Sequence, residues 1–217
     1  MNKQGRLERI LGATIGAMLL GAAAIIAGAT LWLLFTRDAA ADPYAQISGG
    51  CILSSDLSNG DELEFGAECG AMLGAEGGYS FDLAKSLSVD TGLEAAHRWK
   101  SLHGQNGKVK ATADGNTLHL TSLMVNGRLR YEIYGPVSVY GEGGFGGAHL
   151  RGLDDFTFTP AWQVGAGLSF DVLENLSINA GYRHFEILDA ELDGNRTDAD
   201  FHGAVVGLRW EFGGGNE

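Results

Sequence analysis

The sequence has few residues of the kinds that break or cross-link a fold. It contains only 3 prolines and 2 cysteines in 217 residues, and its 15 Lys and Arg residues are outnumbered by 27 Asp and Glu residues. So few prolines and cysteines exclude a proline-rich disordered chain and a disulfide-rich scaffold. The net charge of −12 argues against a nucleic-acid partner, because contacts with phosphate rely on Lys and Arg. We therefore expect one folded domain.

The first 41 residues differ in composition from the rest of the chain. Lys3, Arg6 and Arg9 precede an apolar run over residues 10–35, and small residues at 39–41 follow it. This order is typical of a secretory signal, so residues 1–41 are predicted to be a cleaved signal peptide. The apolar run is also long enough to span a bilayer, for which about 20 residues suffice. A retained apolar helix is therefore the alternative.

From residue 44 onward the sequence lacks any long helical pattern, and alternation with a period of two takes its place. The clearest case is the segment from Trp162 to Asp171, in which even positions are apolar and odd positions are Gln, Gly, Ser or Asp. Eight segments alternate in this way. The predicted strands are 44–53, 64–81, 87–99, 117–133, 137–149, 161–172, 176–185 and 201–212.

The connectors between these strands differ in length. Long polar connectors near 54–63, 100–116, 150–160 and 186–200 alternate with short ones at 82–86, 134–136 and 173–175. Alternation alone also fits a soluble barrel with an apolar interior. Membrane barrels, however, have short periplasmic turns and longer extracellular loops. The fold predicted for residues 42–217 is thus an all-β, eight-stranded antiparallel up-and-down transmembrane β-barrel, with extracellular loops and both mature termini periplasmic.

The polar face of the predicted strands consists mainly of glycine, serine and charged residues, and the interior of an eight-stranded barrel is narrow. Charges held away from water are costly unless they are paired. We therefore expect a charge network that fills the lumen and leaves no wide pore. The predicted network comprises Glu68, Glu94, Arg98, Arg128, Arg130, Glu132, Glu142, Arg183 and Arg209, with Glu76, Asp90 and Glu211 on the same face.

Aromatic residues are predicted to form a girdle at each membrane interface, as in other membrane barrels. Trp99 and Trp162 lie towards the long connectors. The aromatic residues near the short turns are Tyr79, Phe81, Phe170, Trp210 and Phe212.

Cys51 and Cys69 both fall on the apolar face. A hairpin centred on Gly60 would place them opposite each other, at a Cα separation of about 4.5 to 5.5 Å that a disulfide can close. In the oxidising periplasm we expect one structural disulfide. Two buried free thiols are the alternative.

The histidines are expected at the rim of the barrel. His184 and His202 would be opposite each other if the last hairpin centres on residue 193. Without a carboxylate on the same face, two imidazoles coordinate a metal poorly, so no metal site is predicted. His97, His119 and His149 occupy similar positions, and an interfacial role fits all five. Weak cation binding by the acidic connectors is the less favoured reading, against a solvated acidic surface.

Four stretches resemble the small outer-membrane β-barrel proteins of Gram-negative bacteria, including the outer-membrane protein A and X types and the alphaproteobacterial surface antigens. The most specific is Trp162 to Phe185, "WQVGAGLSFDVLENLSINAGYRHF", which resembles the family's sixth strand, turn and seventh strand. The other stretches are Gly78 to Phe81 with Gly92 to Glu94, Thr121 to Gly127, and Gly207 to Phe212. The last resembles the strand that the barrel-assembly machinery reads, which implies that machinery as a partner during biogenesis.

These observations lead us to expect a non-catalytic outer-membrane protein without a cofactor, which supports envelope integrity and makes adhesin-like contacts through four loops. Its expected partners are outer-membrane lipid, lipopolysaccharide, and host or surface ligands. The alternatives are a narrow porin for small solutes and a lipid-modifying enzyme. For the enzyme, Ser122 and Ser169 are nucleophile candidates, although no nucleophile motif surrounds either.

Overall fold

A computed structural model describes residues 41–55, 69–101, 117–151, 158–192 and 195–212. The predicted signal peptide therefore lies outside the described residues, apart from residue 41. Among the described residues no helix is long and apolar enough to cross a membrane. The strands are β1 Ala41–Ser55, β2 Gly70–Ala84, β3 Leu87–Ser101, β4 Thr117–Tyr134, β5 Val137–Arg151, β6 Phe158–Leu173, β7 Leu176–Leu192 and β8 Asn195–Glu211.

The eight strands form one closed barrel in which each strand pairs with its sequence neighbours and β1 pairs with β8. All pairs are antiparallel. The closure is seen at Ile47 of β1, which lies between Ala75 of β2 and Leu208 of β8. This confirms the predicted all-β, eight-stranded up-and-down architecture. We call the end with the short β2–β3, β4–β5 and β6–β7 connections the turn end, and the opposite end the loop end. Residues 41 and 211 both lie at the turn end.

Away from the bulges, side chains alternate between the outside and the interior of the barrel. In β6, Leu168 is 54% exposed whereas the adjacent Ser169 is 1% exposed. The outer face is mainly apolar and the inner face is polar except near the loop end, which is the arrangement a barrel needs when lipid surrounds it. Large residues 46–61% exposed on the outer face include Ile47, Leu73, Leu93, Leu123, Val125, Leu168, Tyr182 and Val206.

The expected aromatic girdles are present with one exception. Trp99 near the loop end is exposed on the outer face, and exposed aromatic residues near the turn end include Tyr79, Phe170 and Trp210. Phe81 was expected among them but is only 2% exposed. It lies beside a bulge between residues 82 and 84, where the alternation of the strand is interrupted.

The three connections at the turn end are tight, and each is accompanied by a bulge. Register shifts occur between Asp82 and Ala84, between Glu132 and Tyr134, and at residues 171–173. At the β4–β5 turn Gly135 has φ +52°, a left-handed conformation that favours glycine. The predicted short turns are therefore correct to within a few residues.

The last hairpin differs from the prediction. Residues 186–200 were expected to form a long connector, but β7 continues to Leu192 and β8 begins at Asn195, with these two residues paired. A register shift lies between Ile187 and Ala190. Nine of the 15 residues in this segment are polar or charged, and Ile187 and Leu188 are consecutive apolar residues, so the segment lacks the sustained alternation by which the other strands were recognised. β2 also begins later than predicted, at Gly70.

Candidate functional site

The centre of the lumen contains a buried cluster of arginines and glutamates. Arg183 donates hydrogen bonds to both carboxylate oxygens of Glu94 at 2.9 Å and to Oε1 of Glu142. Arg128 donates to Oε2 of the same Glu142, with its Nη2 at 2.7 Å. All four side chains are nearly inaccessible to solvent. Their charges compensate one another, as buried charges require.

Polar side chains connect this cluster to the next layer of the lumen. Asn126 donates to Glu76 at 3.0 Å and to Glu94 at 3.2 Å. Its amide oxygen accepts a hydrogen bond from Gln163 at 2.8 Å, and the hydroxyl of Tyr44 donates to Glu76. Both glutamates are thereby held by neutral donors, and Glu94 is also held by Arg183. Apart from Arg183, these five side chains come from five different strands, β1, β2, β3, β4 and β6.

Glycines provide the room for this network. A Cβ atom built on Gly92 would lie 2.5 Å from the hydroxyl oxygen of Tyr44 and 2.9 Å from Oε1 of Glu76. On Gly165 it would lie 2.9 Å from Oε1 of Glu142. Any larger residue at these two positions would displace a charged partner, so the glycine-rich inner face is a requirement of the charge network.

A second charged layer lies towards the turn end. Arg209 forms a buried ion pair with Asp90, whose Oδ1 also accepts a hydrogen bond from Ser80 at 2.7 Å. Arg130 pairs with Glu211 at 2.9 Å. This layer closes the lumen towards the turn end. Beyond it, at the mouth of the turn end, lies an open polar cavity of about 190 Å³.

The loop end of the lumen is closed differently, by apolar side chains. Arg98 marks the boundary, because its guanidinium lies 4.0 Å from the ring centre of Phe185 while it donates to Ser122 at 2.6 Å. The sequence prediction missed this cluster, although Phe185 and Phe201 have the same parity as Arg183 and Arg209 and could have been assigned to the inside. The cluster consists of Ile52, Met72, Leu120, Met124, Ala148, Ala161, Phe185, Ile187 and Phe201.

Seven of the nine residues predicted for the network point into the lumen; these are Glu94, Arg98, Arg128, Arg130, Glu142, Arg183 and Arg209. Glu132 does not join them: it is exposed and lines the cavity at the mouth. It has the inward parity, but it lies next to the β4–β5 turn, where the interior opens to water. Glu68 lies outside the described residues.

The structure joins Cys51 to Cys69 in a disulfide, with a Cα separation of 5.5 Å. The hairpin register that suggested the bond was wrong by two residues, since Cys51 lies opposite Ala71 and not opposite Cys69. Cys69 instead precedes β2 and reaches Cys51 diagonally. Both cysteines are exposed, on the outer side at the loop end.

The five described histidines all occupy strand positions whose side chains face outwards, and they lie towards the loop end. His97 and His119 stack at a ring-centre distance of 5.5 Å. His184 lies opposite His202, as the sequence suggested. The expectation that no carboxylate lies on their face was wrong, because the extended β7–β8 pairing places Glu186 opposite Asp200 immediately beside them.

The closed barrel, its apolar outer face and its filled lumen together define a small membrane-spanning β-barrel. The chain belongs to the family described as outer membrane protein beta-barrel domain, whose model matches residues 15–212. It is thus a member of the small outer-membrane barrels of Gram-negative bacteria. The comparison with curated proteins gives no match.

The solved structures to which this chain is similar are distant in sequence. Neisserial surface protein A is 18% identical with a TM-score of 0.56, over 78% of this chain and 97% of that one. The attachment invasion locus protein of Yersinia pestis is 17% identical with a TM-score of 0.44, over 78% and 99%. The outer-membrane enzyme PagL is 12% identical with a TM-score of 0.46, over 76% and 97%. At these identities the likeness concerns the fold alone.

Proposed function

We propose that the protein is a non-catalytic barrel that supports the integrity of the outer membrane and makes contacts outside the cell through its loop end. The observation that carries this proposal is the filled lumen. Charged layers occupy its centre and turn end, and an apolar cluster occupies its loop end. The parts left to interact with other molecules are the lipid-facing wall and the connections, and loops on a rigid scaffold commonly carry recognition. Lipid and lipopolysaccharide are the proposed partners of the wall.

A filled lumen argues against the alternative of a small-solute porin. A water path would have to pass the ion pairs of Arg183 with Glu94 and Glu142 and then the side chains around Phe185. Separating a buried ion pair is costly, and the apolar cluster excludes water. We expect the full chain to give no stable single-channel conductance in planar bilayers, and regular conductance steps would favour the porin.

The described residues also argue against a serine-based lipid enzyme. Both nucleophile candidates point into the lumen: Ser122 accepts a hydrogen bond from Arg98, and Ser169 is 1% exposed. The described histidines point outwards, so within the described part of the chain neither serine has a histidine to activate it. Replacing Ser122 by Ala should leave the lipid profile of the cell unchanged.

A deletion strain tests the two parts of the proposed role separately. Loss of the gene should increase sensitivity to detergents and large antibiotics and reduce attachment of cells to surfaces. A matched variant replaces residues 102–116 by a Gly-Ser segment of equal length and leaves all eight strands intact. We expect it to restore detergent resistance but not attachment. If it restores both, contact through that connection is excluded; if the deletion changes neither, the proposed function is wrong.

A further inference from the structure

Four side chains form a compact group on the outer face of the β7–β8 hairpin. His184 pairs with His202 across the strands, and Glu186 pairs with Asp200 two residues further towards the loop end. Directly opposed residues on one face have Cβ atoms about 4.5 to 5.5 Å apart. The group therefore consists of two imidazoles and two carboxylates at adjacent positions of one hairpin.

The ligand atoms of this group lie close enough for side-chain rotation to bring them to the spacing of a metal site. One ligand atom each from His184, Asp200 and His202 lies within 4.8 Å of the others. In a tetrahedral zinc site, bond lengths near 2.0 to 2.1 Å put neighbouring ligand atoms roughly 3.3 Å apart. Oε2 of Glu186 lies 3.7 Å from Nε2 of His184, so a fourth donor is within reach.

Two features favour a bound cation at this group. The first is electrostatic: Glu186 and Asp200 lie directly opposite each other, and a cation between them would interact favourably with both carboxylates. The second is the support of the rings. His184 packs on Trp162 at 5.2 Å between ring centres, and His202 packs on Tyr182 at 6.1 Å. Oriented imidazoles bind metal with less loss of side-chain freedom.

We propose that His184, His202 and Asp200, with Glu186 as a fourth donor, bind a divalent transition-metal ion such as Zn²⁺ on the outer face of this hairpin. Imidazole nitrogen selects zinc and similar metals, whereas Ca²⁺ and Mg²⁺ require oxygen ligands. The side chains of His184 and Glu186 are each 27% exposed on the loop-end half of β7, so an ion can reach them from outside the barrel wall. The inference is independent of the proposed envelope role.

Metal binding would have a structural consequence for the hairpin. The register of β7 and β8 shifts between Ile187 and Ala190, just beyond the four side chains. A bound ion would fix the pairing at the point where the regular ladder ends. Because an ion that binds only the folded state stabilises it by mass action, unfolding of the wild-type chain should require more urea when zinc is present.

The first test titrates the full chain, refolded in detergent micelles, with ZnCl₂ by calorimetry. We expect one Zn²⁺ per chain, with affinity that falls on acidification because imidazole binds metal only when neutral. His202→Gln and Asp200→Asn should each weaken binding by more than about tenfold, since even outer partners of metal ligands contribute 10- to 100-fold. The matched control is His97→Gln with His119→Gln, a stacked pair elsewhere on the outer face, which should leave binding unchanged.

A second readout locates the ion without depending on the ligand variants. Cu²⁺ bound at His184 should quench the fluorescence of Trp162, and excess Zn²⁺ should reverse the quenching. In Trp162→Phe, which keeps an aromatic ring next to His184, this reversible component should disappear while zinc binding measured by calorimetry remains. The proposal is overturned if the wild type binds no stoichiometric zinc, if the His97 and His119 control weakens binding as much as His202→Gln, or if the zinc-reversible quenching keeps its full amplitude in Trp162→Phe.

Discussion

Arg183 contacts two glutamates that come from different strands, Glu94 of β3 and Glu142 of β5. Its side chain is 5% exposed, so the guanidinium has little water to replace a lost partner. Removing one member of a buried ion pair leaves the other charge buried and uncompensated. The stability of the lumen therefore depends strongly on this residue.

We predict that Arg183→Met lowers the free energy of unfolding by about 3 to 5 kcal/mol, the usual cost of breaking a buried pair. Urea unfolding in phospholipid vesicles measures it. Arg130→Gln is the matched control, because Arg130 pairs with Glu211 at the open mouth and is 15% exposed; its loss should be clearly smaller. Equal losses for the two variants would contradict the idea that burial sets the cost.

The glycine at position 92 gives a second prediction at this scale. Gly92→Ala should destabilise the barrel by about 1 to 3 kcal/mol through overpacking, because its Cβ would displace the hydrogen bond between Tyr44 and Glu76. At Gly141 a Cβ meets nothing within 4 Å, so Gly141→Ala should change stability by less than about 1 kcal/mol. The same unfolding assay compares them, and a neutral Gly92→Ala would refute the steric argument.

The inward direction of individual residues could be predicted from the sequence, but their partners could not. Period-two alternation assigns Asp90 and Arg209 to the inside. Nothing local indicates that they pair, since they are 119 positions apart in sequence and meet only because the barrel closes with a particular stagger. The apolar cluster around Phe185 was missed for a related reason. Most inward-facing positions are polar, so a single apolar residue at such a position does not indicate a cluster until its neighbours across the lumen are known.

Among the strands, β6 and β8 show where sequence reasoning succeeds and fails. β6 alternates between apolar residues facing lipid and small polar residues facing the lumen, so its location and faces were predicted correctly. β8 begins at Asn195, six residues before its predicted start at residue 201. Its first residues are polar without alternation, because strand pairing through backbone hydrogen bonds does not require an apolar face. An alternation with a period of two therefore reveals only the part of a hairpin whose two faces lie in different environments.

The β1–β2 connection is the element in which a covalent link adds stability. Cys51 and Cys69 are separated by 18 positions, and closing a loop of this length restricts the unfolded chain by about 3 kcal/mol. We predict that Cys51→Ala combined with Cys69→Ala lowers the free energy of unfolding by this amount. Dithiothreitol should produce the same loss in the wild type and none in the double variant. Wild-type stability unaffected by reduction would show that the bond does not form in solution.

The barrel as a whole has two unlike ends. The turn end carries three tight turns and an open, largely acidic mouth, whereas the loop end carries the disulfide, the histidines and the apolar closure of the lumen. Membrane barrels place short turns in the periplasm and longer connections outside. We therefore propose that the loop end faces outwards and both barrel termini face the periplasm.

Epitope insertion tests this orientation. A tag between residues 104 and 105, in the β3–β4 connection, should bind antibody on intact cells. The same tag between Glu174 and Asn175, in the β6–β7 turn, should bind only after the outer membrane is permeabilised. The reverse pattern would show the opposite insertion. Mass spectrometry of the purified protein should also give an N-terminus near Asp42, and an intact Met1 would favour the retained helix.

Because β1 pairs with β8, the strand that begins at Ala41 and the strand that ends at Glu211 are neighbours, and the amide of Phe212 donates to the carbonyl of Pro43 at 2.8 Å. In a closed barrel every strand has two neighbours, so the same strand pairs can form whichever connection the chain lacks. A circular permutant that joins these ends through a short linker and opens the chain near residue 105 should refold to the same barrel in vitro. In cells we expect it to insert poorly, because the Gly207 to Phe212 stretch, which resembles the strand that the assembly machinery reads, would no longer be the last strand of the barrel. Such a result would show that refolding in vitro and insertion in cells depend on different features of the same chain.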